Sequence, residues 1–201
     1  MLTFLKQYGH NIHSQNGEDG LTMEIFNRLA IDPKEVCEYG AHDGKFCSNT
    51  RYWLEQGAHG VLVEADEDLY LKCQANSEDV NADVYWSMVV PDTVNLMVPP
   101  DLDLWSLDTD GANDYFCFKA YAGMAQVVIV EVNSGYLPMD DRLEDGANYS
   151  AMLKLGIEKG YFLVAHTGNL VFVLNEYRDK FPEIVGDGIS NWQEYFLSSW
   201  Q

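Results

Sequence analysis

The sequence predicts an α/β fold: a doubly wound, mostly parallel sheet, Rossmann-like in plan and closed by an antiparallel strand pair. Three observations predict it. Short β-rich runs alternate with helical stretches from Val36 to Val132, the pattern that places helices on both faces of a parallel sheet. The first run breaks into Gly40-Ala41-His42-Asp43-Gly44, a glycine–acid loop at the strand end where open α/β sheets bind ligands. Further on, two β-rich runs flank Thr167-Gly168-Asn169, and Gly168-Asn169 is a hairpin signal.

The elements follow in order. Ser14-Gln15-Asn16-Gly17-Glu18 reads as a turn, after which Leu21, Ile25, Phe26 and Leu29 fall at helical spacing. Asp32-Pro33 stops that helix. Val36–Tyr39 is strand one, Asn49–Gln56 a helix ending at Gly57, and Gly60–Glu64 strand two. A helix over Asp66–Asn76 precedes strand three, Ala82–Val89. Val89–Asp101 is a loop with one helical turn, Leu102–Leu107 is strand four, Tyr115–Ala122 a short helix and Gln126–Val132 strand five. Right-handed crossovers narrow the topology to a doubly wound sheet. Ser150–Lys159 is a helix with Met152, Leu153, Leu155 and Ile157 turned mostly inward, and the hairpin runs follow. With no repeat or linker, one domain spans 1–201: a helical segment over 1–33, the core over 34–175 and a tail over 176–201.

Composition bounds the function. The chain has 201 residues, 47% of them apolar, and a net charge of −20. That charge repels nucleic acid and anionic membranes, since phosphate binding needs Lys and Arg to displace counterions. The longest strictly aliphatic stretch, Val127–Val130, is too short to cross a bilayer, and no signal-peptide pattern is visible. A soluble, cytoplasmic protein is expected. Cys37, Cys47, Cys73 and Cys117 lack the paired spacing that zinc needs. They read as free thiols, Cys37 and Cys117 as small core hydrophobes.

Glycines at Gly40 and Gly44 permit positive φ and close backbone approach, while Glu38 and Asp43 are acceptors beside them. Acceptors suit hydroxyls and an ammonium and repel phosphate. A dinucleotide would prefer a third glycine and no acid at Asp43. Glu64 ends strand two, at close to the ~20-residue separation at which a ribose-binding acid is expected. S-adenosylmethionine, with a ribose, an amine, a sulfonium and no phosphate, satisfies this set.

The segments "SQNGEDG", "EYGAHDGKFCSNT", "GVLVEAD", "VVPDTVN", "LWSLDTDGANDYFCF" and "VVIVEVNSGYLP" stand in one order. Together they resemble the FkbM-type family of S-adenosylmethionine-dependent methyltransferases. "NYSAMLKLGIEKGYFLVAHTGNLVFVL" is similar to that family's closing helix and strands. The loop after strand four, Asp108 to Tyr115, is one residue longer than the family's D-x-D-G-N-D-Y. The resemblance implies a class I methyltransferase fold and O-methylation of hydroxyls on sugars or natural products. It also implies roles in the first cofactor motif for Glu38, Gly40, Asp43 and Gly44. Glu64 would then be the ribose acid, with Gln15, Asn49 and Thr50 at the methionine end. Asp66, just past the end of strand two, and Met88, near the end of strand three, complete the cofactor-binding set.

Methyl transfer to oxygen needs an acceptor hydroxyl in line with the sulfonium carbon and partly deprotonated. Two routes are open. A base, with Asp108 and His166 as the first candidates and His42 as another, could take the proton. Alternatively, Asp108, Asp110, Glu131 and Asn133, at the ends of strands four and five, could hold magnesium as hard oxygen ligands. His10 and His13 could cap the site or stand exposed. Trp53, Trp86 and Trp105 are expected in the core or a pocket wall. The acceptor pocket is expected from the N-terminal segment and the loops around Val90–Asp101 and Gly135–Tyr149. The tail carries Trp192 and Trp200 at helical spacing with other aromatics, to dock on its own domain or on a second copy in a homo-oligomer. Two other functions stay open: an S-adenosylmethionine-binding protein without turnover, and an α/β enzyme using a nucleotide. The acceptor is a small molecule or a sugar.

Overall fold

A computed structural model describes residues 5–109, 111, 113–133, 135, 143, 146–186, 188 and 191. Within them the strands are β1 (Glu35–Tyr39), β2 (His59–Glu64), β3 (Ala82–Trp86), β4 (Asp101–Leu107), β5 (Met124–Glu131), β6 (Tyr161–His166) and β7 (Asn169–Leu174). The helices are α1 (Glu18–Leu29), α2 (Arg51–Glu55), α3 (Glu67–Asn76), α4 (Val94–Met97), α5 (Asn113–Ala120) and α6 (Tyr149–Glu158).

The strands form one seven-stranded sheet in the order β3-β2-β1-β4-β5-β7-β6. β1 pairs in parallel with both β2 and β4, Val36 facing Gly60 on one side and Leu104 on the other. β7 runs antiparallel to β5, Ile129 opposite Val171, and β6 pairs with β7 at the sheet's edge. The expected architecture is therefore present. The hairpin turn is Thr167-Gly168, with Gly168 at φ +112°, and Asn169 already belongs to β7. β6 and β7 are buried along their whole length, which explains why they read as continuous apolar runs without alternation.

Several boundaries shift by a few residues from the sequence expectation, through backbone and side-chain caps. α1 ends at Leu29 because Ala30 turns left-handed, φ 57°, and returns its N–H to Asn27 O. Pro33 lies beyond, in the link to β1. α2 starts only at Arg51, because the Asn49 amide donates to Glu38 and the Arg51 amide to Ser48 Oγ. α6 starts at Tyr149 because Asn148 accepts from the Ala151 amide, 3.1 Å. β3 stops at Trp86, short of the expected Val89, and the turn in Val89–Asp101 is α4.

Tyr39, Trp105, Phe118 and Tyr121 pack edge-on or tilted around β4 in the core, and Cys37 and Cys117 are fully buried there. Trp53 and Trp105 are core residues as expected. Trp86 is a correction: it sits 55% exposed on the edge strand β3, stacked on Tyr70, its indole N–H donating to Ala65 O. No helix among the described residues is long and apolar enough to cross a membrane. The expected aromatic tail lies outside the described residues.

Candidate active site

The carboxyl ends of β1, β2, β4 and β5 open on one edge of the sheet, and the loops that leave them build the site. Glu38, in β1, is only 4% exposed. Its carboxylate accepts from Ser48 Oγ (2.5 Å), the Asn49 amide (2.7 Å) and Thr50 Oγ1 (2.6 Å). Burial pushes this carboxyl above its usual range, and those three donors pull it back. Glu38 thus fastens the far end of the loop that began at Gly40. Within that loop His42 (φ 51°) and Cys47 (φ 61°) hold left-handed backbone without being glycine, a strain that clusters at functional sites.

Glu64 ends β2 at the mouth of a cleft of about 320 Å³. One carboxylate oxygen accepts from the His42 amide and the other from the Asp66 amide, both at 2.8 Å. A carboxylate offers about four lone-pair sites, so one direction on each oxygen remains for a diol. Glu38, Gly40, Ala41, Val63, Leu69, Val89 and Phe46 continue the wall.

A second, larger cleft of about 640 Å³ lies beside it. Glu131, Val132 and Asn133 at the end of β5 form one side, and Gly146-Ala147 and Gly168-Asn169 form others. The N-terminal segment closes it with Gln15, Asn16 and Glu18. That segment is wound around Asp19, whose Oδ2 accepts from the amides of Ile12, His13 and Ser14 and from Ser14 Oγ at 2.7–2.8 Å. His13 Nε2 meets Glu55 at 3.0 Å, tying the segment to α2. Glu18 is 1% exposed; it accepts from the Asn16 amide (2.8 Å) and the Thr167 hydroxyl (2.6 Å), joining α1 to the β6–β7 turn. Gln15, Cys47 and Asp108 line both clefts. Burial raises the Cys47 thiol; a hydrogen bond with Gln15 opposes this, and the negative field of Asp43, Glu18 and Asp108 adds to it.

The structure brings together Gln15, Glu38, Gly40, Glu64 and Asp108 around the smaller cleft, and Asn49, Asp108, Glu131 and Asn133 around the larger. Other candidates stand elsewhere. Asp43 closes its own turn, accepting from the amides of Lys45 and Phe46. Gly44 (φ +76°) lets Cys73 of α3 approach, since a Cβ there would lie 2.9 Å from Cys73 Sγ. Thr50 serves Glu38, and Asp66 caps α3 by accepting from the Leu69 amide. Met88 is 67% exposed and lines neither cleft. Gly40 lines the smaller cleft, but its Cβ would strike the Asp108 carbonyl oxygen; the glycine makes room for β4's end, not for a ligand.

His166 is corrected as a candidate base. It is fully buried in β6 with its ring 5.3 Å from that of Tyr149, lines neither cleft, and burial lowers its pKa to about 3. His42 lines the smaller cleft. No described residue of the Val90–Asp101 loop lines the larger cleft. Asp110 and most of the Gly135–Tyr149 loop lie outside the described residues. Among the described residues no three His, Cys, Asp or Glu side chains group closely enough to hold a metal ion; Asp110, one of the four expected magnesium ligands, lies outside them. Glu18, Asn16, Cys47 and Asn169 escaped the sequence reading. Glu18 and Asn16 had a signal in "SQNGEDG"; Cys47 and Asn169 reach the site only through the fold.

The donor set fits S-adenosylmethionine. The described lining of both clefts holds no Lys or Arg, which disfavours phosphate, and Glu64 keeps lone pairs for a ribose beside an apolar wall.

No known family profile matches the sequence, and no curated protein matches it. Solved structures do match in shape. An S-adenosylmethionine-dependent methyltransferase from Clostridium acetobutylicum ATCC 824 aligns at TM-score 0.57 with 10% identity, over 86% of this chain and 95% of that one. Monomeric WbdD aligns at 0.55 with 16% identity, over 82% of this chain and 42% of its own. TehB from Haemophilus influenzae aligns at 0.51 with 9% identity, over 76% and 62%. This chain therefore spans about two-fifths of WbdD and three-fifths of TehB. With the sheet order and the closing hairpin, these likenesses show a class I S-adenosylmethionine-dependent methyltransferase fold.

Proposed function

We propose that the protein is an FkbM-type enzyme that transfers a methyl group from S-adenosylmethionine to a hydroxyl of a small molecule or sugar. One observation carries the reading: two clefts open on the carboxyl edge of the sheet and meet at Gln15, Cys47 and Asp108. In-line transfer needs such an arrangement, with the cofactor in one cleft, the acceptor in the other and the reacting atoms at the join.

Held in the smaller cleft, S-adenosylmethionine would supply an electrophilic methyl group, its sulfonium becoming the neutral thioether of S-adenosylhomocysteine. Glu64 accepts the ribose hydroxyls. Asp108 stands at the join and takes the proton from the acceptor hydroxyl as its oxygen forms the new bond to carbon. The amide side chains of Asn16, Asn133 and Asn169 orient the acceptor in the larger cleft. The carboxylate-rich surroundings disfavour nucleic acid and anionic membranes as partners.

Calorimetry with S-adenosylhomocysteine and with NAD tests the cofactor; tighter NAD binding would replace this reading with a nucleotide enzyme. A methyl-transfer assay over a panel of hydroxylated acceptors tests turnover, and binding without turnover on any of them would leave a cofactor-holding protein. Activity lost to EDTA and restored by magnesium would replace the Asp108 base with a metal-assisted route.

A further inference from the structure

Glu18 has no role in the reading above, yet it is the most enclosed carboxylate of the larger cleft: 1% exposed and part of the lining. Buried acids are as a rule paired with an opposite charge. Glu18 is held by two neutral donors, the Asn16 amide on one oxygen and the Thr167 hydroxyl on the other. No salt bridge joins it to a cation among the described residues. Its two bonds fix the carboxylate in place and leave about one lone-pair direction on each oxygen. Asp108 and Glu131 line the same space.

Resting on the methyl-transfer reading, we infer that the acceptor carries a protonated amine beside its reactive hydroxyl, and that Glu18 is the partner of that amine. The acceptor class is an amino alcohol of the amino-sugar or aminocyclitol kind. The field is of the right sign, since the Cys47 thiol at the join feels Glu18 and Asp108 as negative charge. The spacing suits an organic cation. Three described acids line a cleft of about 640 Å³, yet no three converge on a point where one ion could sit. The amides of Asn16, Asn133 and Asn169 can both donate to and accept from the remaining hydroxyls.

The test uses the full chain saturated with S-adenosylhomocysteine and matched probes below the amines' pKa: D-glucosamine against D-glucose and N-acetyl-D-glucosamine, and streptamine against myo-inositol. A charge-assisted bond predicts that an amine binds about tenfold or more tighter than its neutral partner. Glu18→Gln should abolish that preference and leave S-adenosylhomocysteine affinity unchanged. Thr167→Val, which loosens the same bridge but keeps the charge, should retain it. Equal binding of each amine and its neutral partners, or binding by no probe, overturns the inference and leaves methyl transfer intact. So does a Thr167→Val chain that loses the preference as Glu18→Gln does, or a Glu18→Gln chain with weakened S-adenosylhomocysteine binding. Should Glu18→Gln fail to fold, equal binding of amine and neutral probes by the wild type still overturns the inference. Failure of S-adenosylhomocysteine to bind wild type would overturn the methyl-transfer reading itself, and this inference with it.

Discussion

Glu64 receives one backbone amide on each carboxylate oxygen and presents its remaining lone pairs to the smaller cleft. Glu64→Ala should weaken S-adenosylhomocysteine binding by about 1.5–3 kcal/mol, the worth of charge-assisted hydrogen bonds. Titration calorimetry on a chain of checked thermal stability measures it; unchanged affinity would remove Glu64 from the cofactor site. Gly40 makes a different prediction from the one its sequence context suggests. With φ +74° and the Asp108 carbonyl against its missing Cβ, Gly40→Ala should lower stability by roughly 1–3 kcal/mol or more. The loss appears in the melting transition without any cofactor present. His166 sets an acid limit. Its pKa falls from 6.5 to about 3 because burial disfavours the charged ring. The unfolded chain therefore binds a proton that the folded chain refuses, so stability is kept above the unfolded value and lost as pH falls from 6.5 toward 3. His166→Leu should flatten that part of the stability–pH curve.

Between elements, the site is assembled by carboxylates that face inward and hold loops. Glu38 fastens residues 48–50 to β1, Glu55 connects α2 to His13, and Asp19 winds the 12–14 backbone around itself. The N-terminal segment consequently reaches the clefts as a fixed wall carrying Gln15 and Asn16. Asp19→Ala removes the acceptor of three amides and a hydroxyl and should cost about 2–4 kcal/mol. Hydrogen exchange at the Ile12, His13 and Ser14 amides should speed up far more than exchange in β4 and β5. Uniform acceleration would mean that Asp19 supports the whole fold and not this segment.

Over the whole molecule, the charge of −20 exceeds what these internal uses absorb. Like charges on one surface repel and destabilise the compact state, and salt screens them within a Debye length of about 8 Å at physiological ionic strength. The melting temperature should therefore rise by several degrees between low and moderate sodium chloride. A flat or falling response would mean that the acids are already neutralised by local ion pairs. The same surplus means that acids at strand ends serve function, turn closure and solvation with one residue type.

The order of elements, the parallel core and the closing hairpin were legible in the sequence because each rests on local signals: apolar periodicity, Gly-Asn punctuation and helix stops. The position of Glu64 at the cleft was legible for the same reason, as an acid directly ending an apolar strand. Tertiary structure alone decided what each acid holds in place. Asp43, Glu38 and Asp66 look alike in sequence, but Asp43 closes a turn, Glu38 ties down a loop and Asp66 caps a helix. It also decided that β7 inserts between β5 and β6, bringing Gly168 and Asn169 to a cleft more than a hundred residues from Gln15 and Glu18. Hydrophobic periodicity says which face of a strand is buried. It carries no information on which distant loop shares its edge, since that depends on the crossovers and on how the sheet closes.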